Sequence, residues 1–144
     1  MEEKDYEEFR SLFEEAYSEY LESLSHENPQ QYLKELQERK EVTRARFEFY
    51  FQMGSCFVAE EDGRVVGYVA SQLIHFMHGV DKPLWIEYIV AKFTFRWRGI
   101  SLVLLHKLIS YAKHSDINRI YTTIDPDNQT SIKLHRKASF NIQY

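Results

Sequence analysis

The stretch VAKFTFRWRGISLVLLHKLISYAK, Val90 to Lys113, decides how this 144-residue chain folds. It opens on the end of an apolar, strand-like run and passes through a short basic loop with one glycine, Gly99. It continues at once in a helical pattern, with Ile100, Leu104, Leu108, Tyr111 and Ala112 on one stripe and Val103, Leu105 and Ile109 alongside. A strand that turns tightly into a helix leaves unpaired backbone N–H groups at the helix N-terminus, where partial positive charge collects. With Arg96 and Arg98 on either side of Trp97, the loop is suited to hold an anion, phosphate foremost.

Upstream, LWIEYIVA (84–91) reads as a strand entering that loop. Before it, CFVAEEDGRVVGYVASQLIHF (56–76) is two β-rich runs around the turn Glu61-Asp62-Gly63-Arg64, with a second turn at Asp81-Lys82-Pro83. Downstream, RIYTTID (119–125) predicts a fourth strand, broken by Asp125-Pro126-Asp127-Asn128, which can cap a last helix to about Lys137. SFNIQY (139–144) predicts the start of a final strand. In the first third, Tyr6, Phe9, Phe13, Ala16, Tyr17, Tyr20 and Leu24 recur at steps of three and four, one face of a helix over about 5–24. Asn28-Pro29 then reads as a cap and first helical residue, predicting a second helix into the forties. FEFYFQMGS (47–55) fits either a helix end or a strand, closed by Gly54. Hairpins ask for antiparallel neighbours, and strand–helix–strand asks for a parallel pair with a crossover. The fold class is therefore α/β: a mixed, mostly antiparallel central sheet flanked by helices.

Composition bounds the rest. A chain of this length is one domain with one core, and 44% apolar and 15% aromatic residues suit a globule. No apolar run is long enough to span a membrane, and the acidic start does not read as a secretory signal. Cys56 is the single cysteine. It reads as a small core residue in a chain with no internal disulfide, and a reducing cytoplasmic setting follows as the expectation. The net charge of −4 is uneven: residues 1–48 carry 14 Asp/Glu against 7 Lys/Arg, and residues 49–144 carry 8 against 11. The acidic part either solvates its own helices or favours a cation, and the basic part favours an anion.

Two motifs together resemble the GNAT N-acetyltransferase superfamily, over roughly Cys56 to Tyr144. The first is Arg96-Trp97-Arg98-Gly99-Ile100-Ser101, similar to that family's Gln/Arg-x-x-Gly-x-Gly/Ala loop. The second runs from Asn128 through QTSIKLHRKASF to Phe140, similar to the family's N-x-x-S/A-I-x-L-Y-x-K-x-G-F helix. The resemblance implies a single acetyltransferase domain over 1–144, with residues 1–54 a helical part bordering the acceptor site and 55–144 an acetyl-CoA-binding core. It implies acetyl-CoA as cosubstrate, lying between the LWIEYIVA and RIYTTID strands. Ile89, Val90 and Ala91 would pair with the pantetheine arm and residues 96–101 would wrap the pyrophosphate. Asn128 and Ser131 would contact the arm, and Lys137 would sit near the phosphates. The implied reaction is direct attack of an amine on the thioester. The amine belongs to a small molecule, a polyamine or a protein.

Departures from the pattern bear on chemistry. Ser101 stands for the last Gly/Ala of the loop, Trp97 for a frequent glycine, Phe93 for a frequent proline, and Ser139 for the glycine before Phe140. The family's first strand is missing, and the last has no room to finish. That implies a shortened domain and a sheet edge that a homodimer could cover. Above all, His135 stands where the family has the tyrosine that protonates the leaving thiolate. As an imidazolium it is a competent acid; the alternative is an exposed helix histidine in a catalytically weak acyl-CoA-binding sensor or interaction domain. Glu87, a charge between Ile86 and Tyr88, either accepts the amine proton or orients a substrate cation. Its other reading is an outward-facing residue of an alternating strand. His75-x-x-His78 lacks partners at ligand spacing, so no metal is expected. Arg96-Trp97-Arg98 without a wider basic stripe, in a chain of pI ≈ 5.9, does not make a nucleic-acid module.

Overall fold

The computed structural model describes residues 1–38, 43–75 and 82–143. Helices α1 (Tyr6–Glu27), α2 (Pro29–Gln37) and α3 (Arg44–Met53) come first. They are followed by β1 (Phe57–Glu61), β2 (Arg64–Leu73), β3 (Leu84–Ala91), α4 (Ile100–His114), β4 (Ile120–Tyr121) and α5 (Gln129–Lys137). The sheet order is β1-β2-β3-β4, antiparallel except for the parallel pair β3–β4. This is the mixed, mostly antiparallel sheet that the sequence asks for.

The sheet separates two cores. On one face Phe9, Leu12 and Phe13 of α1 and Phe47 and Tyr50 of α3 pack on Val65, Tyr68 and Ala70. On the other, Leu104, Leu105, Leu108 and Ala112 of α4 pack on Val69, Leu84 and Ile86. The β1–β2 turn has Asp62 and Gly63 both at positive φ (51° and 74°), the paired left-handed geometry of a tight hairpin. Cys56 is buried, and burial pushes its thiol up to about 11.

Some boundaries differ from the sequence expectations. The second helix stops at Gln37, and FEFYFQMGS belongs to a separate helix, α3, which Thr43 caps and Gly54 closes at φ 67°. Aromatic residues spaced three apart, Phe47 and Tyr50, reach the core from this helix. Val103 points away from the α4 core stripe and is 64% exposed. The RIYTTID strand pairs only at Ile120 and Tyr121, and residues 140–143 form no strand, because Phe140 turns into the α4 core instead. His78 and Asp81, from the histidine pair and the second turn, lie outside the described residues. Among the described residues no helix is long and apolar enough to cross a membrane, and no group of three or more His, Cys, Asp or Glu could hold a metal ion.

Candidate active site

The site is made by two strands that part. β3 and β4 pair at Leu84–Ile120 and Trp85–Tyr121 and then separate. The Thr122 hydroxyl still reaches across, to the Ile86 carbonyl at 3.2 Å. The opening is a cleft of about 210 Å³, with Glu87, Tyr88 and Ile89 on the β3 side and Thr122, Asp125, Asn128, Ser131 and His135 opposite. Beyond Trp85, β3 has no strand partner on this side among the described residues. An extended ligand could therefore hydrogen-bond to its free backbone as an added strand would.

Glu87 sits at a break in the pleat. Tyr88 pairs with Ala70 and Ile86 with Ser71, so Glu87 is an extra residue opposite one β2 step, a β-bulge. The bulge inverts the alternation: Ile86 faces the α4 core, and Tyr88 faces the α1 core. The simple outward reading of Glu87 assumed unbroken alternation. Its carboxylate accepts from the Gln72 side-chain amide and lies close enough to Tyr50 to help raise that phenol to about 12, burial being the larger cause.

α5 supplies the opposite wall. Asn128 caps it, Oδ1 accepting from the Ser131 N–H at 3.0 Å, which leaves the exposed amide NH2 for a ligand. His135, two turns along from the cap, is 1% exposed. Its Nδ1 lies 2.8 Å from the Ser131 carbonyl oxygen, Phe140 packs edge-on with centroids 5.1 Å apart, and Nε2 is buried with no partner. Burial pushes its pKa down, against a smaller upward push from the Ser131 carbonyl. The alternative of an exposed histidine does not hold. Lys137 is exposed in the last turn of α5, at the opposite end of that helix from Asn128 and outside the cleft lining.

The basic loop runs from the end of β3 to α4. Gly99, at φ 79°, is the N-cap of α4 and offers no side-chain cap, whereas Asn28, Thr43 and Asn128 cap α2, α3 and α5. The first N–H groups of α4, at Ile100 and Ser101, are thus left for an external acceptor. The loop's cations are already engaged. Arg96 pairs with Glu19 at 2.5 Å, and Arg98 makes a two-pronged contact with Glu61 at 2.6 and 2.9 Å. Glu15 accepts from the Phe93 N–H at 3.0 Å. Trp97 stands at φ 69°, 93% exposed.

Of the residues singled out from sequence, Glu87, Ile89, Asn128, Ser131 and His135 line one cleft. Val90 and Ala91 continue β3 toward the loop, where Arg96 Nε donates to the Ala91 carbonyl at 3.5 Å. Sequence reasoning missed Gln72, Thr122, Asp125, Glu15, Glu19 and Glu61. Asp125 carried a signal but read as a strand breaker, and Glu61 read as a turn residue whose partner, Arg98, is far off in the chain.

A mixed sheet that splays beside a bulged strand, with an uncapped helix N-terminus at the end of the splay, defines a class of α/β proteins that bind an extended ligand carrying an anion. The acetyltransferase (GNAT) family model matches residues 6–140, and the chain belongs to that family. It is 32% identical to the L-2,4-diaminobutyric acid acetyltransferase of Nocardia farcinica over 83 residues, 56% of this chain and 40% of that protein. The match thus spans about two fifths of that curated relative. Its fold is similar to an aminoglycoside N-acetyltransferase solved in complex with CoA, with TM-score 0.70 and 19% identity over 99% of this chain and 89% of the other. It is also similar to a putative acetyltransferase from Agrobacterium tumefaciens, with TM-score 0.73 and 15% identity over 100% and 92%. At such identities the structural likeness is one of fold.

Proposed function

We propose that this protein transfers an acetyl group from acetyl-CoA to an amine by direct attack, with no covalent enzyme intermediate. The observation that carries the reading is that β3, unpaired with β4 beyond Trp85, leads through its own C-terminal loop to the uncapped α4 N-terminus. A pantetheine arm would pair along Ile89, Val90 and Ala91 and meet the free amide of Asn128 beside Ser131. The pyrophosphate would sit on the N–H groups around Gly99, Ile100 and Ser101. Arg96, Trp97 and Arg98 would flank it once the cations exchange carboxylate for phosphate, with Lys137 adding charge from α5. This gives residues 55–144 the cosubstrate and residues 1–54 the acceptor side.

The acceptor would approach past α1 and α2. Tyr17 donates to the Glu35 carboxylate at 3.2 Å, and both Glu35 and Asp125 lie near enough to Tyr20 to help raise its pKa, after burial. These carboxylates suit a cationic amine. The diaminobutyrate and aminoglycoside acceptors named for the relatives are amines of this kind. Glu87, steadied by Gln72, would take the ammonium proton or orient the cation. A second reading, an acyl-CoA-binding domain with weak transfer, draws on the absence of the family tyrosine at His135. Release of free CoA from acetyl-CoA across a panel of small amines, polyamines and peptides tests the two. Turnover with any acceptor supports the enzyme. Thermal stabilisation by acetyl-CoA without CoA release supports the binding domain, and neither response would sink both.

A further inference from the structure

The protonation of His135 follows from its contacts. A carbonyl oxygen only accepts, so at 2.8 Å from the Ser131 oxygen it is Nδ1 that carries the hydrogen and donates it. Nε2 then holds a lone pair, out of contact with solvent and with no donor from the protein. A buried acceptor in that state is costly to leave unmet, and the residue that carries it lines the cleft. The downward shift of the ring by burial agrees with a neutral imidazole near neutral pH. Of the side chains lining the same cleft, Glu87 and Asp125 are charged and Tyr88 is titratable, while Thr122, Thr123, Asn128 and Ser131 are polar and neutral. A tyrosine in this place arrives with a proton to give. The His135 ring, held this way, has its one proton on Nδ1 and none on Nε2.

Resting on the acetyl-transfer reading, we infer that His135 Nε2 is a proton relay, taking the proton of the attacking amine and handing it to the departing sulfur. The free amine attacks the thioester carbonyl, a C–N bond forms, and the nitrogen becomes positively charged. Nε2 takes one proton from that nitrogen and becomes an imidazolium held by Ser131. As the C–S bond breaks, the same proton passes to sulfur, giving CoA as the thiol, the amide, and His135 restored to its neutral form. No proton enters from outside in this sequence, and no oxidant or reductant is needed. Glu87 acts earlier, on the ammonium that becomes the free amine.

Three measurements test the relay on the full chain. Nitrogen-15 NMR of the histidine ring should report, near pH 7, a hydrogen on Nδ1 and none on Nε2; an Nε2-protonated or doubly protonated ring would overturn the inference. Wild-type kcat should hold from neutral pH upward and fall on the acid side. His135→Phe should keep its thermal shift with acetyl-CoA and lose about 100-fold or more in kcat. His135→Tyr should recover turnover with the opposite profile, falling on the alkaline side as the phenol ionises. Should His135→Phe fail to fold, His135→Gln and the NMR signal still decide. Equal kcat and pH profile in wild type and His135→Phe would remove the relay and leave the enzyme reading intact. A wild type that releases no CoA with any amine would remove the transfer reading, and the relay with it.

Discussion

His135, in the cleft lining, couples the site to folding. Its pKa in the folded chain lies below the ordinary histidine value, so between the two values the unfolded chain binds more protons than the folded one. Stability therefore rises with pH across that window; it is fully present above about pH 6.5 and is lost as pH falls through the folded pKa. The melting temperature of wild type should drop on going from pH 7 to pH 5 more steeply than that of His135→Gln, and parallel curves would contradict the burial argument. Glu87 makes a separate claim. Glu87→Gln keeps the shape beside Gln72 and removes the charge, so kcat/KM for a cationic amine should fall about 10- to 100-fold. Turnover unchanged across pH would take Glu87 out of the mechanism. Glu87 was visible as a charge inside an apolar strand; its place at a bulge beside the cleft depends on how β2 pairs with β3.

Two elements hold the ends of the ligand path. α4 lies close on β2 because residue 67 is glycine. A Cβ there would meet Ile100 Cγ2 at 2.8 Å and the Val90 carbonyl oxygen at 2.9 Å, the second being backbone that cannot swing aside. Gly67→Ala should cost about 1–3 kcal/mol of stability, seen in denaturant unfolding, and weaken acetyl-CoA binding by shifting the first turn of α4. α5 begins at Asn128, whose side-chain oxygen caps it and whose amide NH2 is proposed for the ligand. Asn128→Ser keeps a capping oxygen and should change stability by only a few tenths of a kcal/mol, while losing the amide NH2 and acetyl-CoA affinity. Asn128→Ala should lose both, with about 1 kcal/mol of stability. If Ser binds acetyl-CoA as well as Asn does, the contact with the arm is not there. The caps at Asn28 and Asn128, the hairpin turn and β3 were legible because each is fixed by neighbours in sequence. The brevity of β4 and the fate of SFNIQY were not, since strand length is set by the partner strand and by where Phe140 finds apolar cover.

On the scale of the whole molecule the uneven charge has a use inside the fold. Glu15 and Glu19 of the acidic first third hold the loop at Phe93 and Arg96, and Glu61 of the hairpin holds Arg98. The excess acid of one part thus partly neutralises the basic loop of the other. These pairs are partly exposed, each worth roughly 0.2–1 kcal/mol and screened by salt. Glu61→Gln should release Arg98 to phosphate and tighten CoA binding about two- to fivefold at low salt, an advantage that shrinks as salt rises. Weaker binding in this variant would show that Glu61 positions the loop rather than competing for it.

The sequence by itself determined the first helix, the run from β1 to α5, the glycine turn into α4 and the pair of motifs that mark the family, because turns, caps and periodicity are local properties of the chain. Tertiary structure decided which charges are already paired, that Glu87 sits on a bulge, and that His135 is buried with one nitrogen committed and the other unmet. Burial and long-range pairing depend on residues distant in sequence, which no local pattern can read.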